Sequence, residues 1–191
     1  MNTTTVTGYQ VTLVPITLEH QALLRQWRNS PDIKQCMFSN GTISEAQQLT
    51  WFNRIKGCEN EWHWIVSYKG AFIGSTNIKA TAEGASVSES PELEAGLYIG
   101  EGRYKNNILA FAPTLAMYDY CFEQFQTQNF KARVKATNSA AIHYNQKLGY
   151  KTIRTEEQGS VLEMLLTFND YQNSTKMLKQ FLSRSVKNKR G

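Results

Sequence analysis

The period of the apolar positions changes along the chain, and each change marks an element. In "YQVTLVPI" (9–16) β-branched and polar residues alternate, predicting a strand that ends at Pro15. "TLEHQALLRQWRN" follows with Leu23, Leu24 and Trp27 at helical spacing, Thr17 as a cap and "NSP" as a break. A second helix is expected over "SEAQQLTWFNRIKG" (44–57), capped by Ser44, turning Leu49, Phe52 and Ile55 inward and stopping at Gly57. "EWHWIVSY" and "AFIGSTNI" flank a Lys-Gly pair and predict a hairpin, and the small, polar stretch 80–92 predicts a loop.

"LEAGLYIG" (93–100) reads as a strand, and a helical pattern runs from about Asn107 to Phe125. Pro113 interrupts it, so either the helix kinks there or its first regular turn begins near Ala112. A strand "FKARVKAT", a helix over "NSAAIHYNQKLGY" (138–150) and two closing strands, "YKTIRTEE" and "SVLEMLLTF", come next. A C-terminal helix packed by Tyr171, Met177, Leu178 and Phe181 ends the order β-α-α-β-β-β-α-β-α-β-β. That order predicts an α/β (α+β) fold with a mixed central sheet of about seven strands flanked by helices. Residues 1–8 are expected to be a flexible N-terminus, 9–170 the domain, and 171–191 a C-terminal helix and basic tail.

Composition narrows this picture. A chain of 191 residues suits one domain, and 41% apolar residues can supply its core. No run approaches the roughly 18 apolar residues of a membrane span, and "MNTTTVTGYQ" lacks the parts of a signal peptide, so a cytoplasmic location is expected. The three cysteines, Cys36, Cys58 and Cys121, are too scattered for a metal site and read as ordinary thiols. The net charge of +5 comes largely from the tail "SRSVKNKRG" and implies no specific nucleic-acid partner, although such a tail can steer anionic ligands.

The element order, with the run Asn138, Ala141, Ile142, Tyr144, Lys147, Leu148, Gly149 and Tyr150, resembles the GNAT superfamily of acetyl-coenzyme A dependent N-acetyltransferases over roughly residues 9–170. The front end, "LLRQWRNSPDIKQCM" followed by "ISEAQQLTWF", is similar to the branch that acetylates the 4-amino group of nucleotide-linked 4-amino-4,6-dideoxy sugars in pseudaminic-acid synthesis. The strand "LEAGLYI" is also similar to enzymes that acetylate ribosomal-protein N-termini. The resemblance implies acetyl-coenzyme A as co-substrate, no metal, and a small-molecule amine as acceptor, foremost a nucleotide-linked amino sugar. A protein or peptide N-terminal amine, or a catalytically silent binding module, are the alternatives. No membrane partner is expected, and a homodimer stays open.

Acetyl transfer from a thioester to an amine needs a neutral amine, a polarised carbonyl and a proton for the departing thiolate. Tyr144 shares a helical face with Ala141 and Leu148, which by itself suits a core tyrosine; the resemblance implies the general acid. Asn138 reads as the N-cap, and the resemblance adds a contact with the pantetheine arm. Lys147 and Gly149 read as helix-ending residues, and His143, about 100° around the helix from Tyr144, should point elsewhere. Alternation puts Glu94 on one face with Gly96 and Tyr98. That carboxylate is either an edge or ion-pair residue or, as the resemblance implies, the base that draws a proton from the substrate ammonium. The backbone of Leu97, Tyr98 and Ile99 is the implied site for the pantetheine and the thioester carbonyl.

The resemblance also predicts a pyrophosphate on backbone N–H groups at the start of the next helix. The family pattern of Arg or Gln, two residues, Gly, one residue, then Gly or Ala falls on Lys105, Asn106, Asn107, Ile108, Leu109 and Ala110. Ile108 stands where the first glycine belongs and is ill suited to positive φ. Either the cradle is built differently or coenzyme binding is weakened or lost; Gly100, Gly102 and Arg103 of a lengthened connector are further candidates. On the substrate side, Arg28 is either a surface arginine at a helix end or a bidentate partner for a diphosphate. Gln48, where the sugar branch often has histidine, and Asn77 complete the implied substrate contacts, whereas Trp51, Trp62 and Trp64 read as core, with a uracil or sugar face over one of them as the alternative.

Overall fold

A computed structural model describes residues 4–156 and 159–184. Eight strands are present: β1 (Val6–Gly8), β2 (Val11–Pro15), β3 (Glu61–Tyr68), β4 (Ala71–Ala80), β5 (Glu92–Ile99), β6 (Asn129–Lys135), β7 (Lys151–Thr155) and β8 (Val161–Thr167). They form one sheet in the order β1-β2-β3-β4-β5-β6-β8-β7, antiparallel except for β5 with β6. The helices are α1 (Gln21–Asn29), α2 (Pro31–Lys34), α3 (Glu45–Ile55), α4 (Ala112–Gln124), α5 (Ser139–Leu148) and α6 (Phe168–Leu182). None among the described residues is long and apolar enough to cross a membrane.

The eighth strand corrects the expected count of seven and the expected flexible start. Tyr9 and Gln10 adopt positive φ, 52° and 71°, and turn the chain, so that Val6 pairs with Leu13 and Gly8 with Val11. α6 begins at Phe168 because the Thr167 hydroxyl accepts from the Asp170 N–H at 3.2 Å. Its inward stripe is Tyr171, Thr175 and Leu182, whereas Met177 and Phe181, expected inside, are 82% and 53% exposed. Leu49 is likewise exposed, while Phe52 and Ile55 are buried as expected. The remaining basic tail, residues 185–191, lies outside the described residues.

Helix boundaries follow local chemistry. Ser44 and Gln47 form a reciprocal capping box at the start of α3, and Gly57, at φ 80°, follows its end. Lys69 and Gly70, both at positive φ, make the tight β3–β4 turn. Pro113 marks the first turn of α4, after a 3-10 turn over Ile108–Phe111, so the helix does not kink.

Two cores cover opposite faces of the sheet. The larger unites Trp64, Ile78, Leu93, Leu115, Phe130, Leu148 and Tyr171 beneath α4, α5 and α6. The smaller packs Leu24 and Trp27 of α1 and Phe52 and Ile55 of α3 on Ile16 and Ile65. Between them, β5 and β6 pair only through Glu92–Asn129, Leu93–Phe130 and Glu94–Lys131. Past those residues the two strands part.

Candidate active site

The parting of β5 and β6 opens a cleft of about 1260 Å³. Residues Glu94–Ile99 line one wall, Ala132–Lys135 a second, and the start of α4 with the inner face of α5 a third. Leu97, Tyr98 and Ile99 remain paired to β4 on one side, so their other side faces the gap where a sheet neighbour would otherwise lie. A parted strand of this kind keeps backbone hydrogen-bonding groups for a ligand.

In the turn at one end of the cleft the positive φ falls on a residue other than Ile108. Asn106 adopts the left-handed conformation at φ 56°, a region that asparagine tolerates, and Ile108 enters the 3-10 turn. Asn107 caps that turn, its side-chain oxygen accepting from the Leu109 N–H at 3.0 Å. Among the described residues the backbone N–H groups of Asn106 and Asn107 donate to no hydrogen bond, and that of Ile108 opens the helical segment. Consecutive free N–H groups around a left-handed residue, at a helical start and beside Lys105, make a nest suited to an anion. Leu109 is a correction: it is 7% exposed in the large core, and Asn107 already occupies its N–H. Gly100, Gly102 and Arg103 do not join the lining; Gly100 is instead pressed by the Trp27 ring.

Tyr144 projects from α5 onto the start of α4. Its ring stacks on Phe111 at 4.4 Å, and its hydroxyl donates to the Ala110 carbonyl at 3.1 Å. The Thr114 hydroxyl lies 2.7 Å from the phenol oxygen and, with the phenol proton directed at Ala110, is the donor of that pair. Burial raises the phenol pKa well above its ordinary value, with Thr114 pulling weakly the other way. The group is therefore a proton donor, not a phenolate. One turn deeper, the Tyr118 and Tyr150 hydroxyls meet at 2.5 Å, and Tyr118 stacks on Phe130 at 3.9 Å. Thr114, Tyr118 and Tyr150 were not singled out as site residues, because only the packing of α4 on α5 brings them to the cleft.

Asn138 caps α5 by accepting from the Ala141 N–H at 3.1 Å and also lines the cleft. Gly149, at φ 105°, ends the helix as expected. His143 is an exposed surface histidine that also reaches the cleft rim.

Glu94 is exposed on the cleft, opposite Lys79 of β4 and Lys131 of β6. Asn77 pairs with Gly96, and a Cβ added at Gly96 would lie 2.5 Å from the Asn77 side-chain oxygen, so a larger residue there would have to displace that amide. Behind Tyr98, the Arg28 Nη1 is buried without a hydrogen-bond partner among the described residues. No ion pair among the described residues includes Arg28. Burial pushes the Tyr98 phenol up to about 12, against the opposing pull of a Ser75 hydrogen bond and the Arg28 charge. Gln48 corrects another expectation. It is buried and donates to the Gln21 side chain at 2.8 Å, tying α3 to α1 rather than facing the cleft. Trp62 and Trp64 are core residues, and Trp51 packs edge-on against His63 at 5.1 Å.

The fold has counterparts among known proteins. Residues 10–151 match the family model described as an acetyltransferase (GNAT) domain. No curated protein sequence matches significantly. Among solved structures, an uncharacterized protein (bh2621) from Bacillus halodurans superposes with a TM-score of 0.78 at 15% identity, covering 94% of this chain and 97% of that one. FdhC, described as a nucleotide-linked sugar GNAT, gives 0.74 at 16% identity, covering 94% and 98%. Spermidine N-acetyltransferase from Vibrio cholerae, solved in complex with CoA and spermine, gives 0.71 at 19%, covering 86% and 99%. The chain thus belongs to the acetyltransferase (GNAT) domain family, and its class of activity is acyl-coenzyme A dependent N-acetyl transfer.

Proposed function

We propose that this protein moves an acetyl group from acetyl-coenzyme A to the primary amine of a small anionic acceptor, foremost the 4-amino group of a nucleotide-linked amino sugar. The observation that carries the proposal is the parting of β5 and β6 just past Glu94 and Lys131, with Glu94 and Tyr144 lining the same cleft. The co-substrate supplies an activated acyl carbon and a thiolate leaving group. Its pyrophosphate suits the nest of Asn106, Asn107 and Ile108 with Lys105, and its pantetheine arm suits the free side of Leu97, Tyr98 and Ile99, near Asn138 and Ala110.

Glu94 takes a proton from the acceptor ammonium, directly or through water, so that the amine can attack. Tyr144 holds the proton that the leaving sulfur needs; turning its hydroxyl away from the Ala110 carbonyl presents that proton to the cleft, while Thr114 still donates to the phenol oxygen. Arg28 does not line the cleft, but its unpartnered Nη1 behind Tyr98 favours an anionic acceptor over a polyamine. A buried charged donor left unpaired costs about 1–3 kcal/mol or more, a penalty that a diphosphate would relieve and an ammonium would worsen. Asn77 borders the acceptor side beside Gly96.

Incubation with acetyl-coenzyme A and a panel of UDP-linked amino sugars, spermidine and N-terminal peptides, with thiol release as the readout, decides among acceptors. The sugar assignment fails if release occurs only with the polyamine or the peptides. Coenzyme binding without release from any amine would instead support a silent binding module.

A further inference from the structure

Helix α2 and the residues after it form a strap across the parted strands. At one end Asp32 forms an ion pair with Lys105 of the phosphate turn. At the other, the Lys135 ammonium donates to the Gln35 carbonyl at 3.0 Å, and the Arg133 guanidinium lies 5.3 Å from the Phe38 ring centroid. All six residues line the cleft.

Lys105 is thus already partnered, by a group with no place in acetyl transfer. We propose that Asp32 is a positioning residue of the coenzyme site: its carboxylate stands in for a coenzyme phosphate on Lys105 and is exchanged for that phosphate on binding. The proposal rests on the reading of Lys105 as a phosphate ligand. A lysine ammonium is a compact point charge that takes either oxyanion, so carboxylate and phosphate compete for it. The exchange is inexpensive because the Asp32 side chain is 52% exposed and returns to water; the hydrogen bond from Lys105 is the main cause that holds the Asp32 carboxyl low, at about 2. The carboxylate meanwhile holds Lys105 at the edge of the cleft instead of letting it trail into solvent. Exchange also unties the α2 end of the strap while the Gln35 and Phe38 contacts hold the other, so filling the coenzyme side loosens one edge of the acceptor side.

Calorimetry on the full chain, with coenzyme A and with pantetheine, which lacks the phosphates, tests this on Asp32→Asn, Lys105→Met and the double variant. Asp32→Asn should tighten coenzyme A about three- to fivefold, the scale of an exposed ion pair, and leave pantetheine unchanged. Lys105→Met should weaken coenzyme A, and adding Asp32→Asn to it should change nothing further. Equal or weaker coenzyme A binding by Asp32→Asn, with Lys105→Met still impaired, overturns the role of Asp32 and leaves Lys105 standing. Tightening of the same size in the Lys105→Met background reduces Asp32 to a general charge effect and also overturns it. Full coenzyme A affinity in Lys105→Met removes the phosphate reading of Lys105 and the proposal with it.

Discussion

Strands β5 and β6 behave differently at their two ends. At the paired end, Leu93 and Phe130 are completely buried, and Tyr118 fits between Phe130 and Tyr150. At the parted end, Leu97 and Tyr98 are only partly buried, and Lys135 reaches across the gap to a loop carbonyl. Both ends come from the same two strands, and each end has a phenol whose hydroxyl meets another hydroxyl. What separates them is whether large apolar side chains close the gap. Where Phe130 fills it, the Tyr118–Tyr150 hydroxyl pair is buried at the floor of the cleft; where the gap is open, the pair of Tyr144 and Thr114 lies along its wall. The cleft thus opens at one end while the other end acts as a clamp.

Breaking the clamp should have the largest effect. Phe130→Ala removes a fully buried ring and should cost about 3–5 kcal/mol in urea unfolding. A loss below about 1 kcal/mol would mean that the paired end collapses easily around the missing ring and that Phe130 is not the clamp. At the open end, Tyr144→Phe should lower kcat by about 10- to 100-fold while coenzyme A affinity, read by calorimetry, stays within about twofold. Unchanged kcat would remove Tyr144 from the proton-donor role.

The two phenols at the sealed end should behave in the opposite sense. Tyr118→Phe strands the buried Tyr150 hydroxyl and should cost about 1–2 kcal/mol of stability, with kcat altered less than twofold. A large fall in kcat at unchanged stability would move catalysis deeper into the gap. The smallest expected effect is on the pH profile. Because burial raises the Tyr144 pKa, the donor form persists through the whole range below pH 10 and is lost only above it. An alkaline loss of activity with an apparent pKa below 10, present in the native protein and absent from Tyr144→Phe, would contradict that direction.

Much of the site can be read in the sequence because it depends on local rules. Asn138 and Gly149 bracket α5 by capping chemistry, and alternation sets Glu94 beside Gly96 and Tyr98. The errors arose where a side chain had two destinations of similar local merit. Gln48 could reach the cleft or a buried amide partner, and Gln21, 27 residues earlier, decided for the latter. Leu109 lies in the coenzyme-turn motif, yet its side chain completes the large core. At Ile108 the sequence left open a differently built turn or a weakened one, and Asn106, two residues earlier, carries the left-handed conformation.

The sequence alone determined the element order, the caps and the α5 motif, because periodicity and helix-end chemistry act over a few residues. Tertiary structure decided the rest. How far β5 and β6 stay paired depends on Phe130 meeting Tyr118, Arg28 is left without a partner by the packing of α1 on the sheet, and Lys105 meets an aspartate 73 residues away. Such juxtapositions depend on which surfaces fill one another's space, and no short-range pattern carries that information.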